Sequence, residues 1–127
     1  MKRSEIGRMG ETIASDFLKR KGFKLIERNY RKPWGEIDII AVKDGHVRFV
    51  EVKSISRENI SEAVDDYYPE ELVDKRKLIK LARTAMLYME SKKDTREFQI
   101  DVVGVILDHA SRRAKCRLIE QALEDNI

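Results

Sequence analysis

The run GEIDIIAVKDGHVRFVEVK sets Glu36, Asp38, Glu51 and Lys53 on either side of Asp44-Gly45. Asp-Gly between two β-branched runs signals a two-residue type I′ hairpin, because both central positions need positive φ. Such a loop fixes the register. Lys43 faces His46, Val42 faces Val47, and counting outward sets Asp38 opposite Glu51 and Glu36 opposite Lys53, all on one face. Directly opposed side chains lie ~4.5–5.5 Å apart at Cβ, and like charges in that relation destabilise a sheet, so Asp38 and Glu51 require a positive charge between them. A divalent cation would satisfy them, and Lys53, two residues beyond Glu51 on the same face, is near enough to reach a phosphate or a water. The other face carries Ile37, Ile39, Val50 and Val52, which belong in a core. The competing reading is an exposed charge ladder in which Glu36 pairs with Lys53 and the two acids point into solvent. Against it, Ile40, Phe49 and Val47 share the acidic face toward the turn, and covered acids need partners.

The elements that must position this hairpin follow from spacing. Ile6, Met9, Ile13 and Phe17 recur at three- and four-residue intervals and predict a helix over 4–21, ending at Gly22, with Glu11 on the flank of its apolar stripe where it could point along the sheet. Gly7 and Gly10 weaken a helix, so they indicate either close approach by another element or a helix that starts later. A strand is predicted over 23–29, a Pro-containing turn over 31–34, and hairpin strands over 35–42 and 47–53. Residues 54–68 read as a polar, acidic connection with a short helix over 60–64. Pro69 suits the first turn of a second helix over 69–91, whose apolar side is Leu72, Leu78, Ile79, Ala82, Ala85, Met86 and Met89. FQIDVVGVIL over 98–107 is nearly continuous in apolar character, as in a strand covered on both faces, and is expected at the sheet centre. A polar turn over 108–114 and a last strand over 115–119 complete the order α-β-β-β-α-β-β, one mixed α/β sheet flanked by helices.

A chain of 127 residues, 42% hydrophobic and 39% charged, supports one core and hence a single domain over 1–127. No apolar stretch approaches the ~20 residues of a membrane span, and MKRSEIGRMGE is too charged for a signal peptide, so a cytoplasmic location without membrane partners is expected. Cys116 stands alone, no Cys/His spacing suits zinc, and this thiol is expected to act as a small buried hydrophobe. Net charge is only +3, but it is segregated: acids crowd 57–74, whereas Lys75, Arg76, Lys77, Lys80 and Arg83 follow with no acid among them. Such a basic helix face can follow a phosphate backbone or simply be solvated. His46 and His109 are expected to face solvent, and Asp101 to be a hydrogen-bonded structural acid.

GETIASDFL followed by RNYRKPWGEIDIIA and FVEVK resembles the UPF0102 (YraN-like) family, small bacterial proteins related to archaeal Holliday junction resolvases and to the PD-(D/E)xK nuclease superfamily. The likeness runs nearly the full length: Lys75, Ala82, FQIDVVGV and the closing IEQAL fall where that family has its second helix and last strands. Taken bare, the spacing of one Asp to an ExK is weak, but GEID joined to VEVK by a hairpin is specific. The resemblance implies a restriction-endonuclease-like fold, with Asp38, Glu51 and Lys53 in the D…ExK positions and Glu11 as the acid of the first helix. It departs at Ser54-Ile55, where an Arg-containing continuation is usual, and at Gln99, where Arg is frequent. Those departures bear on substrate contacts and leave the metal site intact.

The implied activity is a metal-dependent DNA endonuclease that hydrolyses phosphodiester bonds, with branched or otherwise non-duplex DNA as the candidate substrate. Mg²⁺ is usually bound by one or two carboxylates plus substrate phosphates and waters, so Asp38 and Glu51 would hold it, with Glu11 as a further or water-mediated ligand; Mn²⁺ could replace it. Lys53 would position the attacking water or steady the developing negative charge. Arg31, Lys32, Lys75, Lys77, Lys80 and Arg83, together with Arg28, would contact phosphates, and Trp34 would either stack on an unpaired base or pack in its turn. A homodimer is implied too, because a four-way junction has two strands to cut. The alternative is a non-catalytic nucleic-acid-binding module on the same fold, and a third reading is an interaction protein whose acidic 57–74 segment binds a basic partner.

Overall fold

Alternation of apolar and polar residues sets the strands, and the apolar stripes of two helices cover them from both sides. The computed structural model describes residues 2–57, 69 and 73–123. The elements in chain order are α1 (Arg3–Arg20), β1 (Lys24–Lys32), β2 (Gly35–Lys43), β3 (His46–Arg57), α2 (Lys75–Ser91), β4 (Phe98–Asp108) and β5 (Arg113–Ile119). They form one five-stranded sheet in the order β1-β2-β3-β4-β5, antiparallel throughout except for the parallel β3–β4 pair. The expected order α-β-β-β-α-β-β and the mixed sheet are therefore observed.

The hairpin register is as the sequence predicts, with Lys43 paired to His46 and Val42 to Val47, and Asp44 and Gly45 both at positive φ (53° and 75°). Several boundaries move. Arg31 and Lys32, expected in a turn, are paired strand residues opposite Glu36 and Gly35, which leaves Pro33-Trp34 as a tight two-residue connection. The helix expected over 69–91 is observed as Lys75–Ser91, because Asp74 is extended and its side chain accepts the Arg76 N–H at 2.9 Å, a side-chain N-cap. The sheet centre is β3, paired on both edges, with β4 beside it. The short helix expected over 60–64, Leu72 and most of the acidic 57–74 segment lie outside the described residues.

On one face Ala14 and Leu18 of α1 pack on Ile39, Ala41, Val50, Val103 and Val105. On the other Leu78, Leu81, Ala85, Tyr88 and Met89 of α2 pack on Ile40, Val47, Phe49, Ile100 and Val102. Tyr88 anchors the second layer through edge-to-face contacts with Tyr30 (5.3 Å) and Phe49 (5.6 Å). β4 supplies both layers, which accounts for its unbroken apolar character. Ile37 departs from expectation. It joins the α2 layer with Tyr30, whereas Ile39 lies in the α1 layer, so alternation along β2 breaks at Asp38. Two observations explain the break: β2 and β3 stay paired only as far as Ile39↔Val50, and Asn29, between the pairs Arg28↔Ile39 and Tyr30↔Ile37, is left-handed at φ 55°.

Two glycines permit the close packing that holds this end of the sheet. A Cβ on Gly10 would overlap the Ser54 side chain, so α1 lies directly on β3 there, whereas Gly7 has open space around it. A Cβ on Gly35 would overlap the Thr84 side chain, so the Pro33-Trp34 turn is pressed against α2. Gly35→Ala is expected to cost about 1–3 kcal/mol by overpacking. Adding Thr84→Ala should recover part of that loss in chemical denaturation, which a general backbone effect at Gly35 would not allow.

Candidate functional site

Where β2 and β3 part, the backbone loses a ladder partner and a side chain supplies one. The Val52 N–H donates to Asp38 Oδ2 at 2.8 Å, and the Asp38 and Glu51 carboxyls come within hydrogen-bonding reach of each other, as the register predicts. Glu51 is only 5% exposed. The solvent-facing charge ladder therefore does not describe this face. Glu11 reaches the same place from α1, buried, and held by Arg28 Nε at 3.3 Å and by the Asn29 side chain.

Burial is the largest influence on all three acids, and it raises each above the ordinary carboxylate range. Glu51 rises to about 7, by desolvation first and then by the charge of Asp38. Asp38 rises through desolvation although the Val52 N–H and Lys77 oppose it. Glu11 rises through desolvation and the Asp38 charge, against Arg28 and Asn29. Carboxylates gathered out of water and still short of positive charge suit a hard cation. Among the described residues no three His, Cys, Asp or Glu side chains converge into a ready-made metal cage. Mg²⁺ does not need one: two carboxylate groups with water and phosphate oxygens match its habit, so Asp38 and Glu51 fit this ion, with Glu11 behind them.

The lysine at these acids comes from a helix. Lys77 Nζ lies 2.6 Å from Glu51 Oε2 and also feels the charges of Asp38 and Glu36, which together hold its own pKa up, the Glu51 hydrogen bond first. Lys53 is exposed, and no ion pair joins it to the acids, or to Glu36, among the described residues. Lys77, expected among the phosphate contacts, is thus paired with Glu51 while its side chain stays 63% exposed. Lys77 extends the buried stripe of Leu81, Thr84 and Tyr88 by one turn, a periodicity present in the sequence that points it at the sheet. Arg28 is likewise committed to Glu11 and Thr12.

Of the other cations expected to meet phosphate, Arg31, Lys32, Lys75, Lys80 and Arg83 are exposed. Lys80 and Arg83, together with Arg76, line a groove of about 610 Å³ whose other walls include Trp34 and Leu87. Arg76 was not singled out for binding by its spacing alone. Asp101 stands apart from the acids as a structural group: it takes Arg48 at 3.0 Å, Gln99 Nε2 at 2.9 Å and the Gln121 N–H at 3.0 Å, tying residues 119–122 to the sheet end. His46 is half-buried against Gln99 at 3.1 Å instead of facing solvent, whereas His109 is exposed. Cys116 is half-buried, and burial raises its thiol pKa.

Fold and site together define an α/β domain whose central hairpin splays open at a buried Glu51 and a half-buried Asp38 whose charges repel. The model of the family described as "Uncharacterised protein family UPF0102" matches residues 10–105, a span that includes Glu11, Asp38, Glu51, Lys53 and Lys77. A UPF0102 protein of Dictyoglomus thermophilum is 37% identical over 113 residues, covering 88% of this chain and 91% of its own. One from Moorella thermoacetica is 37% identical over 123 residues, covering 96% and 98%. The chain belongs to the UPF0102 family. Among the described residues no helix is long and apolar enough to cross a membrane.

The raised Glu51 value fixes a pH dependence. Between 4.5 and about 7 this group is protonated in the fold and ionised in the unfolded chain. The unfolded state then binds fewer protons, so its contribution to stability falls as pH rises through that window. In chelator, Glu51→Gln should unfold like the parent near pH 4.5 and be measurably more stable than it at pH 8. Equal stability at both pH values would contradict the burial argument.

Proposed function

We propose that this protein is a Mg²⁺-dependent DNA endonuclease. The observation that carries the reading is the convergence of half-buried Asp38 and buried Glu51 at the open end of a hairpin whose rim is basic. Mg²⁺ or Mn²⁺ held there would polarise a phosphodiester and lower the pKa of a bound water. The Val52 N–H fixes one Asp38 carboxylate oxygen, and Asp38 would hold the ion together with Glu51. Glu51 is steered by Lys77, whose ammonium supplies positive charge beside the acids before any cation arrives. Lys53, exposed two residues beyond Glu51 on the same strand, would meet a phosphate oxygen and steady the charge that develops on it. Glu11 adds negative potential from behind and is kept in place by Arg28. Branched or otherwise non-duplex DNA is the substrate we favour, acted on in the cytoplasm, with a second copy of the chain supplying the second cut at a four-way junction.

One observation favours a second reading. Lys77 already neutralises Glu51, and no finished metal cage exists among the described residues, as in a nucleic-acid-binding module that does not cut. Labelled four-way-junction, flap, single-stranded and duplex DNA, incubated with Mg²⁺ or Mn²⁺, separates the two. Cleavage by the parent, reduced at least ~100-fold in Asp38→Asn and Glu51→Gln and by less in Lys53→Ala, is expected on the usual scale of lost electrostatic stabilisation. Salt-dependent binding without cleavage of any substrate would leave the module.

A further inference from the structure

Beside the acids, and separate from them, lies a groove with a different chemistry. Its floor is apolar and exposed, with Ile79 and Leu87 on the outer stripe of α2, and Trp34 stands at its edge, 50% exposed. Arg76, Lys80 and Arg83 rise along the same stripe, and no acidic side chain lines the groove among the described residues. None of these three cations is in an ion pair among the described residues. Trp34 does not sit on a free loop. Its neighbour Gly35 is pressed so closely on Thr84 that a Cβ would overlap it, and Pro33 precedes it, so the indole is held beside α2. Lys80 and Thr84 also line the adjoining cavity of about 380 Å³ that contains Glu36, Glu51 and Lys77. The groove thus runs into the carboxylate site.

From this arrangement we infer that the Trp34 groove binds an unpaired stretch of DNA strand, one base stacked on the indole and its phosphates along Arg76, Lys80 and Arg83. The inference rests on the nucleic-acid reading above and narrows it. A polyanion suits a wall that carries cations and no acids. An exposed indole beside them suits a base whose face is open. In a continuous duplex both faces of each base are covered by its neighbours, so a planar side chain at a groove edge selects strands that are single, frayed or displaced. The strand is then led past Lys80 toward Glu51, which places the unpaired segment next to the point of reaction.

Trp34 is the sole tryptophan of the chain, so its emission reports on this groove alone. Intact protein in chelator would be titrated with a short oligothymidine and with a duplex of equal length. The expected result is saturable quenching by the single strand, at least ~10-fold tighter than by the duplex, with log K falling against log salt at a slope of about −2 for three phosphate contacts on a single strand. Labelled-strand anisotropy should show Trp34→Ala binding ~5- to 100-fold more weakly, the range for one stacked base, and Trp34→Phe within a few-fold of the parent. Quenching by duplex as strong as by single strand, no quenching, or a Trp34→Ala variant that binds like the parent would each overturn the inference. Stronger binding of oligouridine than of oligothymidine would overturn the assignment to DNA. The assay needs no metal and no cleavage, so the two readings fail separately. Glu51→Gln should keep the quenching, cleavage without quenching removes only the groove, and quenching without cleavage of any substrate removes only the nuclease.

Discussion

The Val52 amide donates to the Asp38 carboxylate where a strand partner would otherwise receive it, and the rest of the site is arranged around that substitution. Once β2 and β3 part beyond Ile39 and Val50, a backbone donor is left near the sheet interior, and a buried donor must be paired. A carboxylate is a strong acceptor for it. The same carboxylate then carries negative charge into a place that already holds Glu51 and Glu11. Every neighbour reads as a response to this excess: Lys77 leans in from α2, and Arg28 and Asn29 close on Glu11 from β1. The response is incomplete, because all three acids remain raised above their ordinary range with desolvation as the leading cause. A residual demand for positive charge at a solvent-reached hairpin end is what separates a candidate reaction site from an ordinary buried ion cluster. Asp101 makes the contrast, since its oxygens are taken up by Arg48, Gln99 and the Gln121 N–H.

Helix α2 divides its cations by angle. Lys77 stands one turn before the buried stripe and pairs with Glu51 from the surface, while Arg76, Lys80 and Arg83 occupy the outer stripe with Ile79 and Leu87. One helix thereby serves two neighbouring surfaces of opposite need, a negative one to be compensated and a positive one to be offered. Thr84 sits between them, tight against Gly35, and keeps the β1–β2 turn at a fixed height over the helix.

Local signals made much of this legible. Asp-Gly signals the hairpin and its register, which holds as far as Ile39 and Val50, and counting on from there anticipates the meeting of the Asp38 and Glu51 carboxyls although the strands themselves have parted. Helical periodicity gave α1 and put Glu11 on the flank from which it reaches the sheet. What the sequence hid was whatever depends on the third dimension. Ile37 was assigned to the wrong layer because strict alternation fails where strands splay and Asn29 turns left-handed, and no local pattern announces a splay. Lys77 and Lys53 exchanged places in relation to the acids: adjacency in sequence favoured Lys53, whereas the crossing of α2 over β3 decided for Lys77. Arg31 and Lys32 read as turn residues because Pro33 follows them, yet pairing with β2 carries the strand up to the proline itself.

The parallel pairing of β3 with β4 also sets two very different loop closures side by side. Val47 meets Phe98 and Arg57 meets Asp108, partners that only a long crossover containing α2 can bring together. The β2–β3 hairpin, by contrast, closes across two residues. Short loops close early and cheaply, and distant pairings come later. The acids Asp38 and Glu51 thus sit on strands joined by a two-residue turn, whereas the lysine that pairs with Glu51 is carried by the crossover, so the site's counter-charge comes from a segment distant in sequence.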